Sequence, residues 1–161
     1  MITETDRKHL RRCVELAEEA LNNGDEPFGS VLVSAEGNVL HEDRNRVGSG
    51  DQTRHPEFAL ARWAGKNLPA DERKDATVYT SGEHCPMCSA AHGFVGLGRI
   101  VYASSSKQLA KWNEEMGVGG PSAVYSLPIE EIIRDAQVDG PVEGLAEEVR
   151  ELHRRLHAKN K

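Results

Sequence analysis

The chain has 161 residues, enough to bury a core of its own without disulfide staples. Its formal net charge of -6 argues against a broad electrostatic grip on nucleic acid, which needs clustered Lys and Arg. No apolar run approaches the roughly 18 residues of a membrane span. The cysteines, Cys13, Cys85 and Cys88, are odd in number with one tight pair, which is no disulfide framework. They fit a reduced, cytoplasmic protein that keeps thiols for metal or redox work. The N-terminal stretch is polar and charged, unlike a signal peptide.

Residues 3 to 22 read as a helix, with Leu10, Cys13, Val14, Ala17, Ala20 and Leu21 on one face at three- and four-residue spacing. Thr3 and Asp6 form a capping pair at its start. Cys13 lies on the apolar stripe and reads as packing, because a buried free thiol behaves as a small hydrophobe. Ser30 to Ser34, apolar and β-branched, is a strand; residues 35 to 38 turn, and Val39 to Asp43 is a second strand of a hairpin. Residues 46 to 54 form a polar loop. Residues 56 to 66 read as a helix, Asn67 to Asp75 as a charged connection, and Ala76 to Thr80 as a third strand. A buried helix over 86 to 95 leads to a fourth strand, Arg99 to Ala103. A helix over about 106 to 116 and a fifth strand near Ala123 to Ser126 follow. Leu145, Val149, Leu152 and Leu156 mark the inner face of a last helix. Alternating helices and strands imply one α/β layered domain over 1–161, with a partly parallel sheet.

Two segments carry chemistry: His55-Pro56-Glu57 and Cys85-Pro86-Met87-Cys88. Pro is at home in the first helical position, so each segment opens a helix, with His55 or Cys85 at its N-terminus. Cys85 and Cys88 then share a face one turn apart, where the positive helix end favours thiolates. One imidazole and two thiolates suit zinc, and three protein ligands leave the position that catalytic sites keep for water. Zinc lowers the pKa of that water to about 7. Glu57, two residues past His55, is placed to move its proton. A structural zinc knuckle would want a second Cys pair, which is absent, and a redox dithiol would leave His55 and Glu57 unexplained.

The H-x-E and C-x-x-C segments together resemble the signature of the cytidine deaminase-like superfamily, in particular its nucleobase and nucleoside deaminases. The resemblance runs from about residue 5 to 126 and includes Pro27-Phe28-Gly29, Asn45-Arg46-Val47 and the segment Asp75 to Ser81, in the family's order. It implies a three-layer α/β/α fold with a five-stranded mixed sheet. It implies one Zn2+ per chain on His55, Cys85 and Cys88, with Glu57 as the proton shuttle of a hydrolytic deamination that releases ammonia. Asn45 matches an asparagine that hydrogen-bonds substrate; its local alternative is a turn residue bonding its own loop. Phe28 matches a pocket wall, its alternative being a core aromatic. Two positions depart from the family: Pro56 replaces an Ala, which a helix start accommodates, and His84 replaces a Pro. His84 either fills a turn or faces the substrate. His92 reads as packed or hydrogen-bonded, and His9, His41, His153 and His157 as surface residues. Pro-Phe-Gly and Tyr79-Thr80-Ser81 resemble the guanine deaminase-like branch, so a guanine-like base or its nucleoside is the expected substrate. Adenosine in tRNA is the alternative, and a non-catalytic zinc-binding scaffold is the alternative of another class. Relatives are commonly homodimers. The stripe of the last helix serves such a contact or packs within the chain, and Gly117 to Pro121 forms a lid or crosses to a neighbour.

Overall fold

The computed structural model describes residues 1–159. Its first helix, α1 (Glu4–Asn22), is set by the expected reciprocal cap: the Asp6 N–H donates to Thr3 Oγ1 at 3.1 Å and the Thr3 N–H to Asp6 Oδ2 at 2.9 Å. The hairpin strands β1 (Gly29–Val33) and β2 (Val39–Arg44) follow, then α2 (Pro56–Asn67), a short helix α3 (Ala70–Asp75) and β3 (Thr77–Gly82). Next come α4 (Pro86–Phe94), β4 (Ile100–Ser104), α5 (Ser106–Glu115), β5 (Val138–Asp139) and α6 (Leu145–Lys159).

The strands form one five-stranded mixed sheet in the order β2-β1-β3-β4-β5. β1 runs antiparallel to both β2 and β3, whereas β3, β4 and β5 are mutually parallel. The central strands bury both faces, which is why β1 and β4 read as continuous apolar runs rather than alternating ones. Alternation still sorts the side chains into two layers. Val31, Val33, Tyr79 and Val101 meet α1, α5 and α6, whereas Leu32 and Val78 meet α2 and α4. The α/β/α fold is the one the resemblance implies. Cys13 is wholly buried in the first layer, as its place on the stripe indicates.

Gly29 is where α1 lies closest to the sheet. A Cβ there would stand 2.5 Å from the Cys13 carbonyl oxygen and from Leu16 Cβ, so only Gly fits. The stripe of α6 packs inside the chain: Leu145 and Val149 join the first layer, and Leu152 packs with Ala17 and Leu21 of α1.

Three sequence expectations differ from the structure. Ala123 to Ser126 forms no strand; Val124 and Tyr125 are exposed, and the fifth strand is Val138–Asp139. Two residues have no periodicity to read. Their place beside β4 is fixed by backbone pairing and by Asp139, which accepts a 2.9 Å hydrogen bond from Arg99 Nε. The charged connection after α2 contains α3, which starts behind Pro69 and buries nothing, so no apolar stripe announces it. His9 and His153 are buried rather than surface residues, and His41 and His157 are half-buried. His9 packs on the Tyr79 ring with centroids 4.8 Å apart, and His41 stacks on Trp63 at 4.9 Å. His153 follows Val149 by four residues and so continues the inner stripe of α6.

Candidate active site

The two Pro-marked helix starts meet. His55 is the N-cap of α2 and Cys85 the N-cap of α4, both extended in backbone, each followed by Pro in the first turn. The positive ends of two helices therefore converge on the same few atoms. His55 Nδ1 lies 3.5 Å from Cys85 Sγ and 3.6 Å from Cys88 Sγ. Zinc bonded to nitrogen at about 2.0 Å and to sulfur at about 2.3 Å in a tetrahedron spaces those ligands about 3.6 Å apart. The donor triangle thus fits zinc in both chemistry and spacing, and His55, Cys85 and Cys88 can hold such an ion.

Without a cation the two thiols share one proton. Cys85 is drawn down to about 4, first by the hydrogen bond from the Cys88 thiol and further by His55, against its own burial. Cys88, as donor and in a buried position, is pushed up. Its hydrogen bond with Cys85 raises the His55 imidazole. A coordinating cation ionises both thiols outright.

Glu57 stands in the first turn of α2 and is buried, unusual for a carboxylate. Burial, with the Cys85 thiolate adding to it, pushes its carboxyl up to about 7. Oε1 is 3.1 Å from Ser30 Oγ of β1, and Ser30 is itself 2.9 Å from Thr80 Oγ1 of β3. Sequence reasoning passed over Ser30. Its signal is a hydroxyl inside a strand whose every other position is apolar or Gly and buried, where an oxygen needs a partner.

One cavity of about 700 Å³ joins the expected residues, a size suited to small ligands. His55, Glu57, Cys85, His84, Asn45 and Phe28 all line it, whereas Cys88 lies behind them, fully buried. Asn45 serves its loop: Oδ1 accepts from the Glu26 N–H at 3.2 Å and the Val47 N–H at 3.0 Å. Those bonds leave its Nδ2 uncommitted. Phe28 presents a half-buried ring, edge-on to His153 at 5.2 Å, and approaches the cavity wall at Gly82, where a Cβ would lie 3.1 Å away. His84 is wholly buried, neither ring nitrogen is hydrogen-bonded to a described residue, and burial holds it neutral. Its ring meets His92 edge-on at 5.4 Å, and His92 is hydrogen-bonded to the Gly98 carbonyl at 2.8 Å, as expected of a packed histidine. From the last helix His153, Leu156 and His157 close one side, a wall that sequence reasoning did not foresee. Among the described residues no Lys or Arg lines the cavity.

Comparison with known proteins agrees with this geometry. Residues 3–104 match the family described as the cytidine and deoxycytidylate deaminase zinc-binding region. A probable cytosine deaminase of Schizosaccharomyces pombe is 34% identical over 128 residues, covering 80% of this chain and 78% of its own. The guanine deaminase of Bacillus subtilis is 38% identical over 104 residues, covering 63% of this chain and 66% of its own. A solved chain from a study of A-to-I editing by tRNA:A34 deaminases superposes with a TM-score of 0.66 at 25% identity, covering 91% of this chain and 99% of that one. By its matched segment and its fold, this chain belongs to the zinc-dependent cytidine and deoxycytidylate deaminase family.

Proposed function

We propose that the protein is a hydrolytic deaminase of a free amino-substituted nucleobase or its nucleoside, with a guanine-like base as the favoured substrate. The observation that carries this reading is a buried carboxylate beside a His/Cys/Cys donor triangle, both at one cavity that no Lys or Arg lines among the described residues. His55, Cys85 and Cys88 would hold the zinc ion, which would supply ionised water at neutral pH. In the reaction water adds to the amino-bearing ring carbon, the carbon–nitrogen bond breaks, and ammonia leaves a carbonyl behind. Glu57 takes one proton from the water and passes it to the ring nitrogen, then takes the proton of the newly added hydroxyl and delivers it to the departing amine. One carboxyl serves as base and then acid, and burial, which raises its affinity for protons, suits both tasks.

The walls supply recognition. Phe28 offers a face for base stacking, and Asn45 Nδ2 offers a donor. His84, neutral and wholly buried, shapes the wall behind them. The guanine-like preference rests on Pro27-Phe28-Gly29, on Tyr79-Thr80-Ser81 and on the 38% identity to a guanine deaminase. Cytosine is the next candidate, because a probable cytosine deaminase aligns over more of the chain. We also propose that the working form is a homodimer, although not through the α6 stripe, which is already packed.

The tRNA reading has in its favour the likeness to the chain from the tRNA:A34 deaminase study and the gathering of Arg44, Arg46 and Arg54 on the outer side of the Asn45 loop. Arg44 and Arg46 are paired there with Asp25 and Asp43, both at 2.9 Å. The test is ammonia release by zinc-loaded protein from guanine, cytosine, guanosine and cytidine, beside inosine formation in a tRNA anticodon stem-loop. Turnover of a base or nucleoside supports the proposal. Conversion of the stem-loop alone replaces it with the tRNA reading, and full zinc occupancy with no turnover points to the non-catalytic scaffold.

A further inference from the structure

Ser30 and Thr80 face each other across the β1–β3 pairing, and both are wholly buried. Three contacts run in a line from the carboxyl group. Glu57 Oε1 is 3.1 Å from Ser30 Oγ, Ser30 Oγ is 2.9 Å from Thr80 Oγ1, and Thr80 Oγ1 is 2.9 Å from the Gly82 carbonyl oxygen. The two ends differ in kind. A carbonyl oxygen only accepts, whereas a carboxyl oxygen accepts when bare and donates when it carries a proton. Each hydroxyl between them has one hydrogen to give and lone pairs to receive.

The three contacts need three hydrogens, and the two hydroxyls supply two of them. Ser30 donates to Glu57 or to Thr80, and Thr80 donates to the Gly82 carbonyl, so Oε1 always meets an oxygen that can both give and receive a hydrogen bond. We infer that Ser30 and Thr80 are positioning residues, a two-hydroxyl relay anchored on the Gly82 carbonyl that holds Oε1 of Glu57 in one place facing the cavity. This rests on the proposed role of Glu57 as proton carrier.

A hydroxyl kept only to fill the strand would be replaceable by hydrogen. Ser30→Ala is the smallest such change, and it leaves a buried carboxyl oxygen without a partner. Thr80→Val removes the outer hydroxyl at constant shape, and Thr80→Ser keeps it. Steady-state turnover of guanine and cytosine by zinc-loaded protein is one readout. The other is the carboxyl stretching band of Glu57, recorded by infrared difference spectroscopy on isotope-labelled glutamate and assigned by its loss in Glu57→Gln.

Ser30→Ala lowers kcat about ten- to a hundredfold with KM unchanged, the loss of a hydrogen bond to a charged group. Thr80→Val lowers it about threefold to tenfold, and Thr80→Ser stays near the parent. In a Glu57→Gln background Ser30→Ala costs nothing more, because the two residues act as a unit. The band shifts in Ser30→Ala, shifts less in Thr80→Val, and keeps its place in Thr80→Ser. An unmoved band with parent kcat in Ser30→Ala overturns the relay, as does a rise in KM alone or a Thr80→Ser as impaired as Thr80→Val. If Glu57→Gln keeps full activity while the band still shifts in Ser30→Ala, the relay stands as a carboxyl clamp and the proton-carrier reading falls. Because the band is read without turnover, it decides the relay even where neither base is consumed.

Discussion

Asp6 illustrates how far a single residue can reach. It closes the cap of α1, accepts 2.7 Å from the Tyr79 hydroxyl, and binds Arg99 through both carboxyl oxygens at 2.9 and 3.0 Å. Burial works to raise its carboxyl, but bonds from Arg99, the Thr3 N–H and Tyr79 outweigh it and hold the group well below the usual carboxylate range. A depressed carboxylate contributes stability that is present above its unfolded pKa of about 3.9 and is lost as pH falls towards its folded value. Asp6→Asn therefore costs about 2–4 kcal/mol at neutral pH, leaving Arg99 half-matched, and blunts the acid sensitivity below pH about 4. Urea midpoints at pH 7 and pH 3 check both statements. At the metal triangle the loss is of another kind. Cys88→Ser replaces a soft donor with a hydroxyl that stays protonated, so zinc per chain after dialysis drops towards zero while the fold remains.

At the scale of elements, the contact of α1 with β1 and the wall made by α6 are the sensitive places. Gly29→Ala forces a Cβ onto the Cys13 carbonyl and Leu16, and should destabilise by about 1–3 kcal/mol, read as a lower thermal midpoint with unchanged zinc content. Along α6, burial holds His153 down to about 4. Its folded pKa lies below the ordinary 6.5, so the unfolded chain binds the extra proton between those values. Stability is full above pH about 6.5 and falls as pH drops to about 4, by a few kcal/mol for this one group. Burial also holds His9, His84 and His92 low, and they add to the same slope. His153→Phe should flatten it in denaturation curves taken from pH 7 to pH 4.5.

Elements with a long apolar period or a cap were legible in the sequence. The α1 stripe with Thr3 and Asp6, the α2 and α4 starts marked by Pro56 and Pro86, and the buried run of β1 all lie where the pattern puts them. The fifth strand was not, because Val138 and Asp139 are held by their neighbours rather than by any pattern of their own. The donor triangle was legible because its chemistry is written in two short segments. His153 and Ser30 were not, because a lone polar residue among apolar ones gains meaning only when the fold shows what it faces.

For the whole molecule, the metal would be a structural link as well as a reagent. The triangle ties the start of α2 to the start of α4 on one face of the sheet, and an ion held there binds the folded chain alone. Free zinc about a hundredfold above Kd adds about 3 kcal/mol, so a chelator should lower the thermal midpoint and zinc should restore it. The cavity above that link has walls from β-strand loops, from α5 and from α6, and its acids and imidazoles have no Lys or Arg among the described residues beside them. Such a chamber suits a flat, uncharged base better than a phosphate backbone. Its chemistry turns on one carboxyl group beside one metal. The most direct measurement is ammonia release from guanine and cytosine by the parent chain and by Glu57→Gln, each loaded with zinc and checked for equal metal content. The expected result is turnover by the parent and a loss of at least about a hundredfold in the variant at the same zinc content. A variant as active as the parent would contradict the central claim, as would a zinc-loaded parent that releases ammonia from neither base.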